Sequence, residues 1–269
     1  MYKRQSEYHY IFYVLPAAAF DNFCDNYLNN QKINELIICS KGISKNGDFI
    51  SNLIMKKLIL KNYHFLSGPS FADEVLYGKP TALSLSSNKI NKNIGNIFKD
   101  TNIRIYYSEG YKTLEFLGIL KNIYAIGAGI IDAESLGQNA RAAYITRCIV
   151  EIKSMLKSLN LNTNMIYSLG GIGDLILSCS SNKSRNYNFG FCFEKKSKYK
   201  TLKRKTIEGI NSCLNIKNNK KINIIKFPII NSIIKIINGS PSKKEIKILL
   251  NRKFKNCLLY TSPSPRDLY

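Results

Sequence analysis

The sequence has no C-x-x-C pair, no uninterrupted apolar run near the roughly 20 residues that cross a bilayer, and few acids, 18 against 40 Lys and Arg. Each shortage excludes something. The cysteines at 24, 39, 148, 179, 192, 213 and 257 are odd in number and scattered, so they read as free thiols in a reducing, cytoplasmic compartment, and no metal site is expected. Without a long apolar run there is no membrane anchor to expect, and MYKRQSEYHYIFYVLP lacks the apolar core and cleavage site of a secretory signal. The formal charge of +22 raises nucleic-acid binding as a function class. Its distribution argues against that class. Lysine is interleaved with asparagine and isoleucine, as in INKNIGNIFK and IKNNKKINIIK, and the dense run Lys195 to Lys205 carries a single aromatic, Tyr199. Nucleic acid is therefore not an expected partner, whereas anionic small molecules suit a positive field.

What is present divides in two. In the first hundred of the 269 residues, YIFYVLP (10–16), ELIICSKG (35–42) and HFLSGPS (64–70) are near-continuous apolar runs, as strands of a parallel sheet covered on both faces require. PTALSLSS (80–87) and NIRIYYS (102–108) alternate with period two, and KINKNIGNIFKD between them reads as a helix. After Glu109 the period turns helical, in AIGAGIIDA and NARAAYITRCIVEIKSMLKSL, and strand signals almost vanish. The expected fold class is α/β plus all-α: a doubly wound parallel-sheet domain over 1–108, an α-helical domain over 109–256, and a Ser/Pro-rich disordered or extraneous tail over 257–269, with Met1 to Gln5 of similar character.

Within the second half, Leu114 to Asp132 is apolar almost all round yet holds Lys121. Such a lysine either snorkels to water, pairs with a carboxylate, or is held ready to move a proton. Ligands of an open parallel sheet bind beyond the carboxyl ends of its strands, where this chain has Pro16, Ser40-Lys41-Gly42 and Ser67-Gly68-Pro69-Ser70. Asp73 and Glu74 fall in the helical turn that follows, where the dipole favours carboxylates. In SLGGIGDLILSCSSNKSRN (168–186), Gly170, Gly171 and Gly173 are a weak dinucleotide signal, lacking a third glycine at Ile176. Asp174, followed ten positions on by Ser184-Arg185-Asn186, is more useful: arginine offers a rigid fork for phosphate, although a surface arginine in a polar loop reads the same way.

Together LSGPSFADEVLYGKPTAL, SKGI, LEFLGILKNIYAIGAGIIDAESLGQNARAAYITR, LGGIGDLILSCSSNKSRNYNFG and TIEGI resemble the NAD(P)-dependent glycerol-3-phosphate dehydrogenases, in order and approximate spacing, over residues 10–255. The resemblance implies a Rossmann-like N-terminal domain, a helical C-terminal domain and an active site between them. It makes Lys121 the general acid/base and Lys41 a contact of both cofactor and substrate. Gly68, Ser70, Asp174, Ser184, Arg185 and Asn186 would bind substrate, and Ala72, Arg185, Thr206 and Glu208 the cofactor, NAD or NADP. Threonine replaces the usual apolar residue at 206. The implied reaction interconverts dihydroxyacetone phosphate and sn-glycerol 3-phosphate by hydride transfer, feeding glycerophospholipid synthesis. Two alternatives stand beside it: a non-catalytic remnant keeping a phosphate-binding helical domain, and a basic nucleic-acid-binding module. The family opens on a strand and a G-x-G-x-x-G turn that this sequence lacks, so the expectation is an N-terminally truncated member without the first βαβ unit, about 70 residues. The choice of NAD or NADP and a homodimeric state are left open.

Overall fold

Five strands lie side by side in chain order: β1 (Glu7–Tyr13), β2 (Lys32–Ile38), β3 (Asn62–Ser67), β4 (Thr81–Ser87) and β5 (Ile103–Ser108). The computed structural model describes residues 7–28, 32–60, 62–194 and 207–251. Thr206, the basic run Lys195 to Lys205, Met1 to Gln5 and the 257–269 tail lie outside them.

β1, β2 and β3 run parallel, as their apolar runs imply, but β4 is antiparallel to β3, and β5 then runs parallel to β4. The parallel sheet expected from the sequence is found, with three of its four strand pairings parallel and the β3–β4 pairing antiparallel. Alternation with period two reads the same in either direction, so PTALSLSS carries no mark of its polarity. The register shows how the reversal arises: Ser67 pairs with Ser84 and His64 with Ser87, so residues 68–80 leave and re-enter the sheet at the same end.

The connecting helices are short: α1 (Phe20–Phe23), α2 (Ile50–Lys57), α3 (Ala72–Leu76) and α4 (Asn93–Asn96). The helix expected over KINKNIGNIFKD shrinks to four residues followed by turns, because only Ile94 of that stretch is deeply buried.

Helices then take over: α5 (Tyr111–Ala133), α6 (Gly137–Ser158), α7 (Asp174–Ser180), α8 (Arg185–Glu194), α9 (Glu208–Asn215), α10 (Pro228–Ile237) and α11 (Ser242–Leu250). α5 is the organising element. Apolar almost all round, it is stable only if enclosed, and β3, α6, α7, α8, α9 and α10 pack around it. Among the described residues it is the one helix long and apolar enough to cross a bilayer, and it is buried in the core. Its small residues permit close crossings. A Cβ on Gly129 would strike the Tyr187 carbonyl, and one on Gly190 of α8 the Ile126 carbonyl, so the two backbones touch where side chains would hold them apart.

One hydrophobic core joins Tyr13, Leu36 and Phe65 of the sheet to Leu114, Leu117 and Ile123 of α5. Buried carboxylates fasten helix starts within it. Glu151 accepts the Ile229 and Ile230 amides of α10 at 2.8 and 2.9 Å, and Glu115 accepts the Ser51 amide of α2 at 3.3 Å.

Candidate active site

Between the carboxyl ends of the first strands and the helices around α5 opens a cavity of about 590 Å³. Lys41, Ser70, Ala72, Lys121, Asp174, Ser184, Arg185, Asn186 and Glu208 all line it. Residues up to 208 − 41 = 167 positions apart in the sequence thus meet in one cleft.

Lys121 projects from α5 with its side chain 13% exposed, and its Nζ lies 3.1 Å from Asp174 Oδ1 and 3.0 Å from Ser178 Oγ. It does not snorkel to open water. Asp174, at the start of α7 and 2% exposed, also accepts Lys41 Nζ on Oδ2 at 2.6 Å. Lys41 follows β2 and donates a second bond to the Gly68 carbonyl, at 3.1 Å. Gly68 is not part of the wall, but a Cβ there would lie 2.9 Å from the Ala82 carbonyl, so the turn after β3 has room for hydrogen alone.

Two ammonium groups therefore share one carboxylate, leaving an excess of positive charge. Burial, then the neighbouring Lys41 charge, lowers the Lys121 pKa, and Asp174 only partly offsets this. For Asp174, burial pushes the pKa up, but Lys121 and Lys41 outweigh it and hold the carboxyl below its ordinary value. An anionic ligand would meet a cationic centre that is not fully neutralised.

Ser184 starts α8: its Oγ accepts the Tyr187 amide at 3.3 Å, and its carbonyl the Asn188 amide at 2.9 Å. The positive end of this ten-residue helix, with Arg185 and Asn186 in its first turn, faces the cleft and suits a phosphate. Asn186 is tied down behind the wall. Its amide donates to Asn122 Oδ1 at 2.7 Å and its Oδ1 accepts the Gly209 amide at 2.9 Å, while Asn122 donates to the Lys41 carbonyl at 2.7 Å. This chain of side-chain amides fixes the Lys41 loop, α5, α8 and α9 relative to one another.

Glu208, in the first turn of α9, accepts the Ala17 amide on Oε1 at 3.3 Å, while its buried Oε2 has no partner. Burial raises its pKa, and the Ala17 amide and Arg185 partly counter that. Ser40 Oγ, also on the cleft wall, is buried without a partner. These two orphaned oxygens suit the hydroxyl and amide donors of a nicotinamide dinucleotide, so the residues present fit such a cofactor.

The site also holds Asn122 and Ser178, which the sequence had not singled out. Ser178 had a signal, being four positions after Asp174 and so on the same face of α7. Asn122 had none beyond its place beside Lys121.

Known proteins resemble this chain over most of its length. The family model described as NAD-dependent glycerol-3-phosphate dehydrogenase C-terminus matches residues 111–247, and the N-terminus model matches 3–93. A glycerol-3-phosphate dehydrogenase [NAD(P)+] of Campylobacter jejuni subsp. doylei is 31% identical over 257 residues, covering 93% of this chain and 86% of the relative. One from Malacoplasma penetrans is 34% identical over 248 residues, covering 88% and 73%. The crystal structure of glycerol-3-phosphate dehydrogenase from Coxiella burnetii superimposes with a TM-score of 0.84 at 28% identity, covering 90% of this chain and 77% of that one. With a Rossmann-like sheet, a helical second half and both family models matched in order, the chain belongs to the NAD(P)-dependent glycerol-3-phosphate dehydrogenases, a family of oxidoreductases.

Proposed function

We propose that the cleft interconverts dihydroxyacetone phosphate and sn-glycerol 3-phosphate, with Lys121 as the proton donor and acceptor at the C2 oxygen. The observation that carries this is the contact of Lys121 Nζ with Asp174, 3.1 Å away, in a cavity that Arg185 also lines. A nicotinamide dinucleotide held against Ala72 and Glu208 would supply the hydride chemistry at C2. In the reducing direction the Lys121 ammonium stabilises the negative charge developing on the C2 oxygen and then gives it a proton; in reverse the neutral amine removes the hydroxyl proton. Its lowered pKa makes that exchange easier near neutral pH, and Asp174 keeps the proton from being lost altogether. Ser178, donating to Asp174 Oδ1 at 3.3 Å, fixes the carboxylate against Lys121.

Ser184, Arg185 and Asn186 would receive the phosphate, Ser70 the substrate backbone and Asp174 its polyol end, while Gly68, off the wall, would serve the substrate through the Lys41 that its carbonyl holds. Ala72 and Glu208 would lie against the cofactor, and Lys41 would serve both ligands. The 1–108 segment would be the cofactor domain and 109–256 the substrate domain, with the glycerol phosphate feeding glycerophospholipid synthesis. Cys24, Cys39, Cys148, Cys179, Cys192 and Cys213 are free thiols, which supports a reducing, cytoplasmic setting. Replacement Lys121→Ala is expected to lower kcat by at least about 100-fold, the span of general acid–base catalysis, with substrate affinity within a few-fold of wild type. Near-normal kcat in that variant would remove the proposal's basis.

A further inference from the structure

The cleft mouth carries a contact with no part in the proton chemistry. Lys183, on the turn between α7 and α8, reaches across to the α3 segment that follows β3. Its Nζ lies 2.7 Å from Glu74 Oε1 and 3.3 Å from Asp73 Oδ2, and 5.9 Å from the centroid of the Phe71 ring. Lys183, Asp73 and Phe71 all line the cavity, and the exposure of Lys183 and Asp73 puts the cluster on its solvent side. It joins residues 109 positions apart, one partner on the sheet side and one beside Ser184 and Arg185. The side chains are about half exposed, at 45% for Lys183 and 44% for Glu74, so the contact is a light one that thermal motion can open.

We propose that Lys183 is a positioning residue that clasps the sheet side of the cleft to the phosphate-facing turn and slows the escape of bound substrate. It is not a phosphate ligand in this account. Were a phosphate to draw Lys183 away, Asp73 and Glu74 would be left unpaired at the mouth, where they would repel the same anion. Held to them, Lys183 neutralises both carboxylates and closes the opening together. The substrate-retention half of the proposal rests on the reaction proposed above; the clasp itself does not.

The two roles for Lys183 differ in what the acidic partner does. If it clasps, Lys183→Met removes both ion pairs and Glu74→Gln the shorter of the two, so KM for dihydroxyacetone phosphate rises about threefold in the first and by a smaller factor in the second, without lowering kcat, the scale of an exposed ion-pair cluster. If Lys183 binds phosphate, Glu74→Gln frees it and KM falls. Charge reversal adds a rescue: Lys183→Glu with Glu74→Lys should recover most of the affinity that Lys183→Glu alone loses. Amide hydrogen exchange on the ligand-free protein gives a readout independent of turnover. Residues 72–76 and 181–184 should exchange faster in Lys183→Glu and return toward wild type in the double reversal. A fall in KM for Glu74→Gln, or no recovery of exchange in the double variant, overturns the clasp. Absence of turnover in the wild type would sink the dehydrogenase reading while the exchange result still decides the clasp.

Discussion

Arg185 would act at a distance from the reacting carbon, so its effect belongs in substrate choice rather than in bond making. A guanidinium at the start of α8 would gain most from a dianionic phosphate, and binding energy from that remote group would orient C2 for reaction. Arg185→Ala is expected to cut the kcat/KM ratio of dihydroxyacetone phosphate over dihydroxyacetone by at least about tenfold, the loss of one charge-assisted contact. An unchanged ratio would show that the phosphate sits elsewhere. At this scale the charged residues were legible in the sequence: a lysine in an apolar helix, and an aspartate ten positions before a Ser-Arg-Asn run, each needed an explanation. The amides were not. Asn122 and Asn186 are ordinary polar residues until the fold brings their side chains within 2.7 Å of each other.

At the level of elements, Glu115 ties the long helix α5 to the start of α2, and it does so at a cost. Burial pushes its carboxyl up from 4.5 to about 7, with the Ser51 and Ile50 contacts only partly opposing, and its Oε2 has no partner. A carboxyl raised in the folded state binds more protons folded than unfolded, so stability falls as pH rises from about 4.5 through about 7. Glu115→Gln keeps an acceptor for the Ser51 amide without the buried charge. It should therefore unfold at a higher denaturant midpoint than wild type at pH 8, by about 1–3 kcal/mol, with the gain largely gone at pH 5. A gain independent of pH would show that Glu115 is not the titrating group. Strands and the long helices were readable here because apolar runs and helical period report burial directly, although β1 and β2 each begin about three residues earlier than their runs suggest. The polarity of β4 was not readable, because pairing direction depends on where residues 68–80 travel and not on side-chain alternation.

Among the described residues, a sheet half and a helical half share a core and leave a cationic cleft where they meet. The change of texture near Glu109 foretold where helices take over, and α5 begins at Tyr111. The cleft itself was legible only through resemblance, since no local pattern says that Lys41 and Asp174 will stand 2.6 Å apart. The excess of 40 basic over 18 acidic side chains adds a positive field that favours anionic triose and dinucleotide alike. In the proposed reaction one amine, Lys121, serves both directions. The measurement that tests this most directly is the pH dependence of kcat/KM in both directions, in wild type and in Lys121→Ala. Reduction of dihydroxyacetone phosphate should fall, and oxidation of glycerol 3-phosphate should rise, through one shared inflection below the ordinary lysine value of 10.5, and the inflection should vanish in the variant. Profiles that move in the same direction, or an inflection that survives the loss of Lys121, would contradict it.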